Sequence, residues 1–285
     1  MRLHDILLAK AFGGGGGSGA IDITGCTPNS NLRLSSLKSF AIVSEDATSI
    51  GGNAFINCTN LTSVDLPVAE SIGEGAFYGC TALASVDLPV AESIGDWAFY
   101  QCTSLASVDL PNVTDIGEYA FNHCTALASV DIHNAESIGA GAFVDCTPLT
   151  SVDLPVAKSI GRLAFSNCTP LTSVDLPVAE SIGEACFHGC TNLNTLIIRN
   201  ENAACELNFT AIINTGILTE EGAPTGTGFL YVPAKFYEDY LAMATMQAAY
   251  LLMSQGMGEA EAQATAAYIA SVVIRKIEDY PEICG

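Results

Sequence analysis

A right-handed solenoid of short stacked coils, each adding a strand to a parallel sheet, is the fold class this sequence predicts. Three observations predict it. Cysteine recurs at 58, 80, 102, 124, 146, 168 and 190, a constant step of 22 residues. Isoleucine from 50 to 182, glycine from 51 to 183 and phenylalanine from 55 to 187 keep the same step. Finally, each copy, typified by "LTSVDLPVAESIGEGAFYGC" at 61–80, is too short to hide an apolar face alone, so equivalent coils must lie on one another and share a core.

The elements follow in chain order. Residues 1–19 join a short amphipathic head to five consecutive glycines and read as a flexible tether. Residues 20–58 read as an N-terminal cap with a degenerate first repeat, and 59–200 as the 22-residue repeats. Within a repeat, alternation turns Leu61, Val64 and Leu66 inward and Ser63 and Asp65 outward. Pro67 cannot donate to a ladder and ends the strand; it recurs at 89, 111, 155 and 177, with His133 in its place once. The glycine after Ile72 is expected to supply a backbone angle that side chains disfavour. "EGAFYGC" is expected to fold as a tight helical turn with Ala76, Phe77 and Cys80 inward, and the threonine after each ladder cysteine to tie the next turn through its hydroxyl. Residues 201–285 read as a C-terminal cap: a strand in "GFLYV", a break at Pro233, and helices around 241–254 and 259–278 with Gly256 and Gly258 between them.

On the string "LTSVDLPVAESIGEGAFYGCT" and its copies, residues 37 to 200 resemble the leucine-rich repeat of the BspA-like class, found in bacterial and protozoan surface proteins. The resemblance implies a leucine-rich-repeat solenoid with tight turns or short helical turns on its convex side. It also implies a non-enzymatic binding module for protein or glycan recognition and adhesion. Ala69 stands where many relatives carry a ladder asparagine, and 22 residues leave little room for a convex helix, so a helix-lined horseshoe is disfavoured. The head at 1–19 is similar to the openings of some prophage tail-associated proteins, which implies a structural or receptor-binding tail component as the alternative. By resemblance the chain belongs at a cell surface or on a virion, and otherwise in the cytoplasm.

Charge narrows the function classes. With 31 acidic and 10 basic residues the formal charge is −21, which repels phosphate backbones and argues against nucleic acid as partner. The opening residues do not match a secretory signal, and no apolar run reaches the length of a membrane span, so no membrane insertion is expected. No nucleophile elbow, phosphate loop or metalloprotease helix appears, and no catalytic residue or cofactor is assigned. The ladder cysteines read as parallel, buried free thiols rather than disulfides. In "CFHGC", Cys186 and Cys190 share a face while His188 points away, so no metal site is assigned there.

The candidate binding face is an outward file of Asp65, Asp87, Asp109, Asp131, Asp153 and Asp175 beside a file of Ser63, Ser85, Ser107, Ser129, Ser151 and Ser173, on the expected concave side. At about 4.8 Å between coils, neighbouring carboxylates repel by roughly 0.9 kcal/mol in water. The file is either a solvated edge, relieved by serine hydroxyls and raised carboxylate pKa values, or a stripe for a cationic or hydroxyl-rich partner with weak cation binding along it. One carboxylate per coil in a flat row does not make a dedicated calcium cage. Glu70, Glu92, Glu136 and Glu180 form a second acidic band, as do Glu74, Asp96, Glu118 and Glu184; Lys158 and Arg162 interrupt the two within one coil.

Overall fold

The computed structural model describes residues 19–22, 40–43, 47–219 and 222–281. The tether expected at 1–19 lies almost wholly outside the described residues, as does most of the expected cap up to 46.

Each coil has three sides, and the coils are bonded together along all of them. The first side carries the expected strand, such as Leu61–Asp65, Ser107–Asp109 or Ser173–Leu176. All partners are parallel and like residues face each other, for example Ser63 on Ser85 and Asp65 on Asp87. The ladder begins with Gly19–Asp22 on Phe40–Val43 and breaks into three sheets, because no strand forms at 151–154 and the strands of Asp87 and Asp109 are not paired.

One strand per coil is not what forms. A second side carries a two-residue strand around the recurring isoleucine, and eight of these, from Ser49–Ile50 to Glu206–Leu207, make the longest unbroken sheet among the described residues. The glycine after the isoleucine explains its continuity, though not by a special backbone angle. A Cβ built on Gly73, Gly95, Gly117, Gly139, Gly161 or Gly183 would lie 2.5–2.7 Å from backbone of the preceding coil, so glycine is required for close approach. Here the coils are clamped most tightly.

The third side replaces the expected helical turn. Two residues per coil have left-handed backbone, for example Gly75 (φ 59°) and Gly79 (φ 69°), which no helix allows in sequence. Between them run consecutive tight turns. The backbone N–H groups of Gly75, Phe77 and Gly79 donate to the carbonyls of Asp96, Ala98 and Tyr100 on the next coil at 2.8 Å, so this side is also a ladder.

The three sides enclose one core. Leu61, Val64, Leu66, Ala69, Ile72, Ala76, Phe77, Cys80 and Leu83 and their equivalents are its repeating unit. Phe55, Phe77, Phe99, Phe121, Phe143, Phe165 and Phe187 form a spine with centroids 5.2–5.7 Å apart and planes within 13° of parallel. Offset stacking adds to the area these rings bury. Each cysteine from Cys80 to Cys190 in the 22-residue column donates its thiol to the carbonyl of the phenylalanine 25 residues earlier, at 3.0–3.3 Å. Burial pushes the Cys124 and Cys205 thiols up to about 12.

Beyond 200, Phe229–Val232 continues the first ladder before Pro233, and helices α1 (Tyr237–Ser254) and α2 (Glu259–Val273) pack together. Glu238 and Asp239 sit favourably in the first turn of α1, and Gly256 (φ 95°) follows its end. Buried Ala244, Ala248, Ala262, Ala266 and Ala270 let the helices approach closely. The Tyr240 hydroxyl accepts from the Cys205 N–H at 2.8 Å, and Gln247 donates to the Leu207 carbonyl at 3.2 Å, seating α1 at the end of the second sheet. The helices do not end the fold: Ile274–Lys276 returns as a further parallel strand beside Phe229–Val232. Neither helix is long and apolar enough to cross a membrane.

Candidate functional site

The strand alternation that buries Val64 and Leu66 turns the aspartate file outward. Asp65, Asp87, Asp109, Asp131, Asp153 and Asp175 are all exposed, as are Ser85, Ser107, Ser129, Ser151 and Ser173, with Ser63 half-buried. Register brings Asp65 beside Asp87, and Asp109 beside Asp131. Asp153 lies in the coil that makes no strand on this side.

Relief of the repulsion differs from the expectation. Among the described residues, no serine of the adjoining column bonds to a ladder carboxylate; two side chains of other types do so instead. Arg199 donates from Nε to both Asp175 oxygens at 2.9 Å. The His133 ring lies 2.6 Å from Asp131 Oδ1. This hydrogen bond holds the Asp131 carboxyl below its ordinary range and raises the His133 imidazole, the opposite of the expected upward carboxylate shift. His133 was legible only as a missing proline. Its role follows from the turn that ends the strand at Asp131, where the His133 backbone N–H also donates to Asp131 Oδ1 at 3.3 Å.

The file is therefore uneven. Asp65, Asp87 and Asp109 have no cationic side chain paired to them among the described residues, whereas the lower end is partly neutralised. Past Asp175 the same register holds Ile197, Tyr231 and Arg275, so the acidic stripe ends against an apolar and basic margin. Ile197 and Tyr231 pack with Ile277, and Arg275 lies over the Phe229 ring at 4.5 Å. Ile197 still falls on the 22-residue step and marks the end of the aspartates, but Tyr231 and Arg275 stand outside the step, so sequence period could not reveal the rest of the margin.

The other acidic bands are also exposed at Glu70, Glu92, Glu136 and Glu180. Lys158 reaches back to Glu136 at 2.6 Å and Arg162 reaches forward to Glu184 at 3.2 Å, so the interruption of the bands is paired across coils on both sides. Of the threonine hydroxyls, Thr103 bonds the Thr81 carbonyl at 3.3 Å. Cys186 is buried in the core beside Phe187 and Cys190, and no three His, Cys, Asp or Glu side chains among the described residues group as metal ligands.

A family model described as a BspA type leucine rich repeat region, present in 6 copies, matches residues 48–157 and 114–217. The chain belongs to the BspA-type leucine-rich-repeat family. A solved T. pallidum leucine-rich-repeat protein is similar at 33% identity and TM-score 0.51, over 61% of this chain and 83% of that one. A leucine-rich cell surface protein of Faecalibacterium prausnitzii matches at 24% identity and TM-score 0.37, over 56% of this chain and 60% of that one. A leucine-rich-repeat protein of Bacteroides ovatus matches at 22% identity and TM-score 0.41, over 65% and 58%. No curated protein matches the chain. Among the described residues the repeat carries no convex helix, as expected from its 22-residue length, and buried alanine or valine stands at 69, 91, 113, 135, 157 and 179 where the general leucine-rich pattern carries a ladder asparagine.

Proposed function

We propose that this BspA-type protein is a non-enzymatic adhesive binding module whose acidic strand face engages a basic segment of a partner protein. The observation that carries the proposal is the run of Asp65, Asp87 and Asp109, exposed on adjacent coils and with no cationic side chain paired to them among the described residues. Equivalent weak contacts add along such a run, and a partner that brings cations relieves repulsion the fold leaves in place. Ser85 and Ser107 beside these carboxylates supply hydroxyls for a polar rim. Membership in a family with bacterial surface proteins supports adhesion as the use of this binding.

Calorimetric titration with an extended lysine-rich peptide, at low and high salt, tests it. Binding should weaken steeply as salt rises and be lost in the combined variant Asp65→Asn, Asp87→Asn, Asp109→Asn, which should itself melt at the same or a higher temperature at low salt. Unchanged affinity in that variant, with affinity lost instead in a Glu70→Gln, Glu92→Gln control, would move the site to another face.

A further inference from the structure

The turn side of the coils from Gly75 to Gly141 carries half-buried aromatic rings, a different chemistry from the strand face. At the first left-handed position the coils place Asn53, Gly75, Trp97, Tyr119 and Gly141 in succession. Trp97 and Tyr119 stack with centroids 6.0 Å apart and planes 7° from parallel, and the Tyr119 ring lies over Gly141, where a Cβ would meet it at 2.5 Å. Side chains in this column therefore lean on the next coil. The coil that should cover the other face of the indole contributes Gly75, which has no side chain. Tyr78, stacked on Tyr100 at 4.8 Å, stands beside the gap, with its Cβ 3.9 Å from where a Gly75 Cβ would be. The Asn53 amide oxygen stands 2.6 Å from the place of a Gly75 Cβ, so among the described residues the half-buried Trp97 meets a ring on the Tyr119 side alone.

We infer that the other face of the indole binds an arginine side chain of a protein partner. The neighbouring column is acidic: Glu74 and Glu118 are exposed, and Asp96 accepts the Glu118 N–H at 2.7 Å. Carboxylates beside an indole favour a cation and repel phosphate or sulfate esters. Arginine is selected over a compact ammonium by shape. The rings run parallel within each of two stacks, at 7° and 14°, so a planar guanidinium extends the stack while its edge donors reach carboxylate oxygens. The proposal concerns a different side of the coil from the aspartate file and does not rest on it.

Trp97 is the chain's single tryptophan, so its fluorescence reports this site alone. Titration of the full chain with an arginine-rich peptide should quench it saturably, and a lysine peptide of equal charge should bind more weakly. Gly75→Asn adds a side chain at a left-handed position that Asn53 already tolerates (φ 58° against 59°), displacing only the mobile end of the Asn53 side chain. Binding of the arginine peptide should then fall about fivefold to tenfold with the melting temperature kept, the weight of one stacked cation. The combined Asp65, Asp87 and Asp109 variant should keep the quenching, which separates this site from the strand face. Equal response to the lysine peptide, no effect of a folded Gly75→Asn variant, or a response to methyl glucoside in place of arginine would each overturn the inference.

Discussion

Removing one ring from the phenylalanine spine tests the packing that every other feature depends on. Phe121 is fully buried, with Phe99 at 5.2 Å on one side and Phe143 at 5.3 Å on the other. Phe121→Ala deletes a ring that touches two coils besides its own. Those coils cannot close the gap, because glycine contacts of the Gly117 and Gly139 type already hold backbone to backbone at the limit of approach. Truncation of a buried phenylalanine costs about 3–5 kcal/mol, and a site that cannot relax belongs in the upper half of that range. Phe187, stacked on Phe165 alone at 5.7 Å among the described rings, forfeits one ring contact instead of two, worth about 0.5–1.5 kcal/mol less. Urea denaturation followed by far-ultraviolet circular dichroism measures both variants, and the slope of the transition shows whether the solenoid still unfolds as one unit. A loss below about 1 kcal/mol for Phe121→Ala, or equal losses for the two variants, would refute a continuous, unyielding spine.

Gly139→Ala should destabilise by about 1–3 kcal/mol in the same assay through overpacking alone, since its Cβ would lie 2.5 Å from the Gly117 backbone, whereas Gly258→Ala, with nothing within 4 Å, should be near neutral. The His133 imidazole should titrate above its usual value of about 6.5 in an NMR pH series and return towards it in Asp131→Asn. The sign follows from linkage: the raised histidine contributes stability in full below its unfolded pKa and loses it as pH rises through the folded value. The depressed Asp131 contributes above its unfolded pKa and loses it as pH falls through the folded one. The pair is therefore strongest between about pH 4 and 6.5, and an unmoved His133 titration in Asp131→Asn would break the assignment.

Period alone determined that equivalent coils stack, that Ala76, Phe77 and Cys80 face inward, and that the aspartates stand in file, because a step of 22 residues places like side chains at like positions whatever the coil's exact path. What one coil does to the next was decided only in three dimensions. A glycine kept for close approach is indistinguishable in sequence from one kept for a left-handed angle, so the role of Gly73 was misread and the second, longer sheet it permits went unseen. The true left-handed positions carry residues as unlike as Gly75, Trp97 and Leu163, since hydrogen bonds between coils impose that backbone regardless of propensity. His133 and Arg199 both stand at the proline position of the step, yet their hydrogen bonds to Asp131 and Asp175 show only in the structure, and closure of the file by Tyr231 and Arg275 comes from outside the period. Repetition encodes the contacts that every coil repeats; charge pairing and open ring faces arise where a coil departs from its neighbours, and only the tertiary structure shows what each departure meets.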